Sequence, residues 1–201
     1  MTDRPGVTGD TRTRLLAAAE KILVEQGVNA LSVRRISDGA GLNPTLVTYH
    51  FKSILGLLDE LCSLNLEPIL RDWREIDRLD AGERALDDVL RLWLAPMLHA
   101  AALTPSGRAL AVLDEIAAHG EPALRTRVLG EMEAFSVRLR SVLAPLLPRL
   151  SEDELRARLR FIAGAVLGPP PRTYSAPPSD GGKALDDLAY LLPFARAALC
   201  N

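Results

Sequence analysis

A chain of 201 residues is long enough for one well-packed domain or two modest ones, and 48% hydrophobic against 25% charged residues is the balance of an ordinary globular protein. No apolar run approaches the roughly 18 residues that span a bilayer, and the opening MTDRPGVTGDTRTR lacks the apolar core of a secretory signal, so a cytoplasmic protein is expected. A net charge of −2 excludes a generally basic nucleic-acid binder. Cys62 and Cys200 lie far apart and read as free thiols, while His50, His99 and His119 fall at no metal-ligand spacing; neither a metal nor another cofactor is expected.

The charge is unevenly spread. Residues 11–52 carry six basic groups (Arg12, Arg14, Lys21, Arg34, Arg35, Lys52) against three acids (Glu20, Glu25, Asp38), whereas residues 53–201 hold 17 basic and 21 acidic groups. A small positive segment on a larger acidic body is the pattern of a phosphate-binding head joined to a part that does not touch nucleic acid.

Strand signals are nearly absent and helical periodicity is everywhere, so the fold class expected is all-α with about nine helices. The first helix is predicted over 11–26, with Leu15, Leu16, Ala19, Ile22 and Leu23 on one face and Gly27 as its stop. Ser32 caps a short helix over 33–39 that turns Val33, Ile36 and Ala40 inward and Arg34 and Arg35 outward. After Gly41, Asn43 is read as an N-cap and Pro44 as the first residue of a third helix over 44–50. A run from Ser53 to Leu79 follows, which Pro68 is expected to kink or split. Further helices are predicted over 83–102, with a bend at Pro96, and over 106–118, 122–147, 152–167 and 183–199. Ser151 and Glu154 form a capping box, and GPPPRTYSAPPSDGG (168–182) reads as a mobile loop.

Three short helices with a sharp glycine turn between the second and third are the parts of a helix-turn-helix head. The turn needs a residue that tolerates positive φ, which Gly41 supplies, and small or aliphatic inward residues, which Ala40, Leu42 and Val47 supply. On the third helix, Thr45, Leu46 and Thr48 can offer hydrogen bonds and methyl contacts to base edges. Tyr49, His50 and Lys52, at its end, suit phosphate oxygens, although His50 and Tyr49 could equally close a small core.

LSVRRISDGAGLNPTLVTYHFKS resembles the run from the second helix to the Tyr-His-Phe signature of the TetR family of bacterial transcriptional regulators, and RLLAAAEKILVEQG resembles its first helix. The resemblance covers residues 11–60. It implies that Arg34 reaches base edges or phosphate, that Pro44, Thr45, Leu46 and Thr48 stand at reading positions, that Tyr49, His50 and Lys52 contact the backbone, and that Phe51 packs the head together. Two residues depart from the family pattern: Leu23 replaces a common Phe, and Ile54 replaces a common Lys, which removes one phosphate contact and shifts load to Lys52.

Residues 1–52 are thus expected to form the DNA-binding domain, with 1–10 as a flexible arm, and 53–201 the ligand-binding and dimerisation domain. Leu155, Leu159, Ile162 and Val166 form one stripe and Leu185, Leu188, Leu192 and Leu199 another, with Tyr190, Leu191 and Phe194 on a second flank. The two helices are expected to pair with their symmetry mates as a homodimer interface, as the resemblance also implies, so the operator should be a palindrome with half-sites about 34–36 Å apart. The resemblance further implies a small-molecule pocket in the body, for which Trp73, Trp93, Met97, His99, Met132 and Phe135 are the candidate lining residues and a largely apolar effector the candidate ligand. The reading is a repressor released from double-stranded DNA by that effector. A DNA-binding dimer without a ligand is the alternative; a helical-bundle enzyme is remote, because no phosphate-cradling glycine loop, nucleophile elbow or carboxylate–histidine set is present.

Overall fold

A computed structural model describes residues 5–79, 85–167 and 188–200. The described residues contain nine α-helices and no β-strand, only an isolated antiparallel bridge between Ala100 and Arg108. The helices are α1 (Pro5–Gln26), α2 (Val33–Ala40), α3 (Thr45–Phe51), α4 (Ile54–Trp73), α5 (Leu86–Met97), α6 (Ala109–His119), α7 (Pro122–Leu143), α8 (Glu152–Leu167) and α9 (Leu188–Cys200). They divide into two compact units, one of residues 1–66 with 100–128 and one of residues 67–99 with 129–201. Among the described residues no helix is long and apolar enough to cross a membrane.

Each boundary has a local cause. α1 starts at Pro5, six residues before the predicted start, where a missing N–H costs nothing, and ends at Gly27 with φ 83°. The Ser32 hydroxyl accepts from the Arg35 N–H (3.2 Å), and Gly41 closes α2 in the left-handed region at φ 64°. α4 continues through Pro68 as one helix and stops at Trp73, followed by a 3-10 turn over 74–78, so Pro68 does not split it. Ser151 and Glu154 bond reciprocally (2.9 and 3.3 Å), as a capping box requires, and the bonds from Ser151 hold the Glu154 carboxyl below its ordinary range.

The first unit is built on an apolar core of Leu15, Leu16, Ala19, Ile22, Ile36, Ala40, Val47, Phe51, Leu57 and Leu61, drawn from α1 to α4. Burying each such Leu or Ile stabilises by about 1.5–3 kcal/mol. At the start of α4 the approach is close: a Cβ on Gly56 would overlap the Phe51 carbonyl oxygen. Gly56→Ala is therefore expected to shift the α3–α4 junction and cost about 1–3 kcal/mol in urea denaturation.

A buried polar cluster crosses this core. Glu20 is 0% exposed and Asn65 1%. The Asn65 Nδ2 donates to Glu20 Oε1 (2.8 Å) and to the Leu61 carbonyl (2.9 Å), the Leu103 N–H donates to Glu20 Oε2 (2.8 Å), and the Ala102 N–H donates to Asn65 Oδ1 (3.1 Å). The helix predicted over 83–102 ends at Met97. The N–H groups of Ala102 and Leu103 are taken by buried side chains instead of helical carbonyls, and Leu98 and His99 close a turn on Ala95 and Pro96. The predicted bend at Pro96 is thus a helix end.

In the second unit, Leu155, Leu159, Ile162 and Val166 of α8 and Leu199 of α9 are each 7% exposed or less. These residues, predicted for a dimer interface, are spent on the chain's own core, because α8 and α9 pack on each other and α9 packs on α5. Leu188 and Leu192 are half-buried, and Leu185 and the loop 168–182 lie outside the described residues. The outward residues of the two helices are Phe161, Tyr190 and Phe194, at 65%, 54% and 52% exposure. The first unit holds Cys62, whose thiol burial pushes up, and the second holds exposed Cys200; both are free.

Candidate functional site

Helix α3 is seven residues long, so its geometry rests on its ends and its inner face. Val47 and Phe51 are 0% and 5% exposed and anchor it; the Arg12 guanidinium stands 5.2 Å from the Phe51 ring centroid. At its start the Asn43 Oδ1 accepts from both the Thr45 N–H (2.9 Å) and the Thr45 hydroxyl (2.8 Å), while Pro44 already has helical dihedrals. The Thr45 side chain is thereby locked with its methyl and an oxygen lone pair left free. Beside the capping role expected from the sequence, Asn43 fixes the Thr45 rotamer, which the side-chain geometry reveals.

Pro44, Thr45, Thr48 and Tyr49 are exposed, the last at 66%. Leu46 is half-buried and packs on the core of the head, so it contributes less to an outward face than predicted. His50 is half-buried, edge-on to the Tyr49 ring at 5.0 Å and tilted to Phe51 at 6.2 Å, which orders the aromatic end of the helix. Arg34 projects from α2 with an 88% exposed side chain, 3.7 Å from Asp38. Arg35, by contrast, is held by the Ala30 carbonyl (3.1 Å) and Gln26.

Lys52 ends α3 with φ 67° and ψ −41°, and is the one non-glycine residue at positive φ among the described residues. A lysine held there costs about 1 kcal/mol relative to glycine. Its side chain is exposed and has no acidic partner among the described residues, whereas Arg12 pairs with Glu60 and Lys21 with Glu25. Ile54, next along, is half-buried and apolar. Lys52 is thus an exposed cation held in a conformation that glycine would occupy more cheaply.

The second unit carries a half-open cavity of about 770 Å³. Trp73, Trp93, Met97, Met132 and Phe135, all predicted, line it. Trp73 stacks on Phe135 with centroids 3.8 Å apart and planes 8° from parallel, and its Nε1 donates to the Trp93 carbonyl (2.9 Å). His99 does not line it: α5 ends before it, and its Nε2 lies 3.3 Å from the Asp72 carboxylate. Arg140, Arg156 and Arg160 do line it and were not anticipated.

Comparison with known proteins bears on both parts. Residues 15–61 match the family described as bacterial regulatory proteins, tetR family. The HTH-type transcriptional repressor KstR2 of Rhodococcus jostii is 33% identical over 88 residues, 44% of this chain and 43% of that protein. KstR2 of Mycobacterium tuberculosis is 31% identical over 90 residues, 45% of this chain and 44% of that protein. The match thus spans less than half of these relatives. Among solved structures, the TetR family transcriptional regulator PfmR from Thermus thermophilus has a TM-score of 0.66 at 17% identity, over 92% of this chain and 97% of that one. A TetR-family regulator from Rhodococcus sp. has a TM-score of 0.53 at 19% identity, over 95% and 99%. The described chain has their all-helical fold.

Proposed function

We propose that the chain, whose residues 15–61 match the bacterial regulatory proteins, tetR family, is a sequence-specific transcriptional repressor, a homodimer on a palindromic operator released by a small molecule. It acts by binding, not catalysis, in the cytoplasm where its DNA lies. The observation that carries this reading is the split surface of α3: Val47 and Phe51 hold it to the core while Pro44, Thr45, Thr48 and Tyr49 face outward after a left-handed Gly41 turn.

Within that face Thr45 and Thr48, with Leu46 at the margin, read base edges, and Arg34 reaches bases or phosphate. Tyr49, His50 and Lys52 clamp phosphates, and Lys52 carries the load that a lysine at position 54 would share. The head extends through Lys52, and the body from Ser53 holds the effector cavity. Helix α4 contributes residues to both units, which supports its role as the lever that spoils head spacing when the cavity fills.

The test is gel-shift binding to the DNA upstream of the protein's own gene. Salt-sensitive binding to a palindrome is expected, and its absence at every salt concentration would sink the reading. Lys52→Ala is expected to weaken all sequences alike and reduce the salt slope by about one unit, whereas Thr45→Ala changes which sequence is preferred. Lys52→Gly separates backbone from charge: it should match or exceed the parent in stability, by up to about 1 kcal/mol, and still bind as weakly as the alanine variant.

A further inference from the structure

We infer that the effector cavity of the second unit is built for an amphipathic anion, an aryl or alkyl body ending in a carboxylate. The inference rests on the reading of this cavity as the effector site and adds an anionic head to the largely apolar ligand expected from the sequence. One wall is apolar throughout, since the single indole hydrogen of Trp73 is spent on the Trp93 carbonyl and the ring itself lies against Phe135. That wall suits a hydrocarbon and offers it no polar contact.

The other wall carries charge. Arg156 and Arg160 sit one helical turn apart on α8, a spacing at which like charges repel. Among the described residues neither has a carboxylate within ion-pair distance; Arg160 only stands 5.5 Å from the Phe161 ring centroid. Arg140 of α7 has a side chain 13% exposed, with Nη1 donating to the Ser136 hydroxyl (2.8 Å) and Nη2 at 3.6 Å from Glu133, whose own side chain is 68% exposed. Glu133 and Asp153 are the acids on the lining, so three guanidiniums face two carboxylates. A cationic ligand would add to that surplus and a neutral one would leave it. A carboxylate neutralises it and accepts the paired N–H bonds that a guanidinium fork presents. The volume of about 770 Å³ fits a drug-sized molecule.

The chain's two tryptophans both line this cavity, so tryptophan emission reports its occupancy directly. Titration of the full-length protein with phenyloctanoate, phenyloctanol and phenyloctylamine compares one body with three heads. Phenyloctanoate is expected to bind at least about tenfold more tightly than the alcohol, with the amine weakest. Arg140→Gln, and separately the exposed Arg160→Gln, should lower affinity for the acid by several-fold to tenfold and leave that for the alcohol unchanged, in variants whose thermal melts show a folded protein. Equal binding of all three heads, or arginine variants that weaken acid and alcohol alike, would overturn the anion while leaving an effector cavity. No emission change with any of the three would overturn both.

Discussion

Replacing Phe161 and Phe194 together by Arg is expected to leave a folded monomer that binds a palindromic operator at least about 10²-fold more weakly than the parent. The two residues are 65% and 52% exposed on α8 and α9, and Tyr190, one turn before Phe194, is 54% exposed. Outward aromatic side chains cost solubility and are retained where a partner covers them. The inward stripe of α8 and Leu199 of α9 are filled by the chain's own core, which leaves the outer face of these helices, among the described residues, for a second copy. In a dimer the second head binds at an effective concentration set by the first, which is the source of the 10²-fold or greater gain that a monomer forfeits. Sedimentation should give the mass of one chain, and the dependence of log K on log salt should fall to about half, because half of the phosphate contacts are lost. A variant that stays dimeric would place the interface elsewhere.

Glu20→Ala is expected to cost about 3–5 kcal/mol of folding stability, a large share of the roughly 5–15 kcal/mol typical of a domain. The substitution removes the acceptor for the Asn65 amide and the Leu103 N–H at a site with no access to water. Glu20→Gln keeps the shape and one acceptor while turning a second donor toward Asn65, and should cost less, about 1–3 kcal/mol. Urea midpoints measure both; an unchanged midpoint for Glu20→Ala would mean that the cluster is solvated in the native state.

Glu20 also marks a limit of sequence reading. On α1 it stands beside Lys21 and reads as one more surface acid in the charge tally, since nothing within four residues distinguishes it from Glu25. Only the packing of Asn65 and the 102–103 backbone against it makes it the most buried charge described in the first unit.

Local chemistry was legible wherever it was decided by neighbours in the chain. The apolar period of α1, the Ser32 cap, the Gly41 turn, the Asn43–Pro44 start of α3 and the Ser151–Glu154 box follow from side chains acting within about one helical turn, so they could be read directly. The all-helical fold and the outward residues of α3 came with them. Tertiary structure decided that the stripe on α8 and Leu199 of α9 face the chain's own core, because period alone marks a stripe without saying what covers it. It also decided that Leu46 leans on the core, that His99 falls outside the cavity while three arginines line it, and that Pro68 sits within an unbroken helix. For α8 and α9 and for His99 the deciding partner lies tens of residues away, and the pattern within the helix is the same for either outcome.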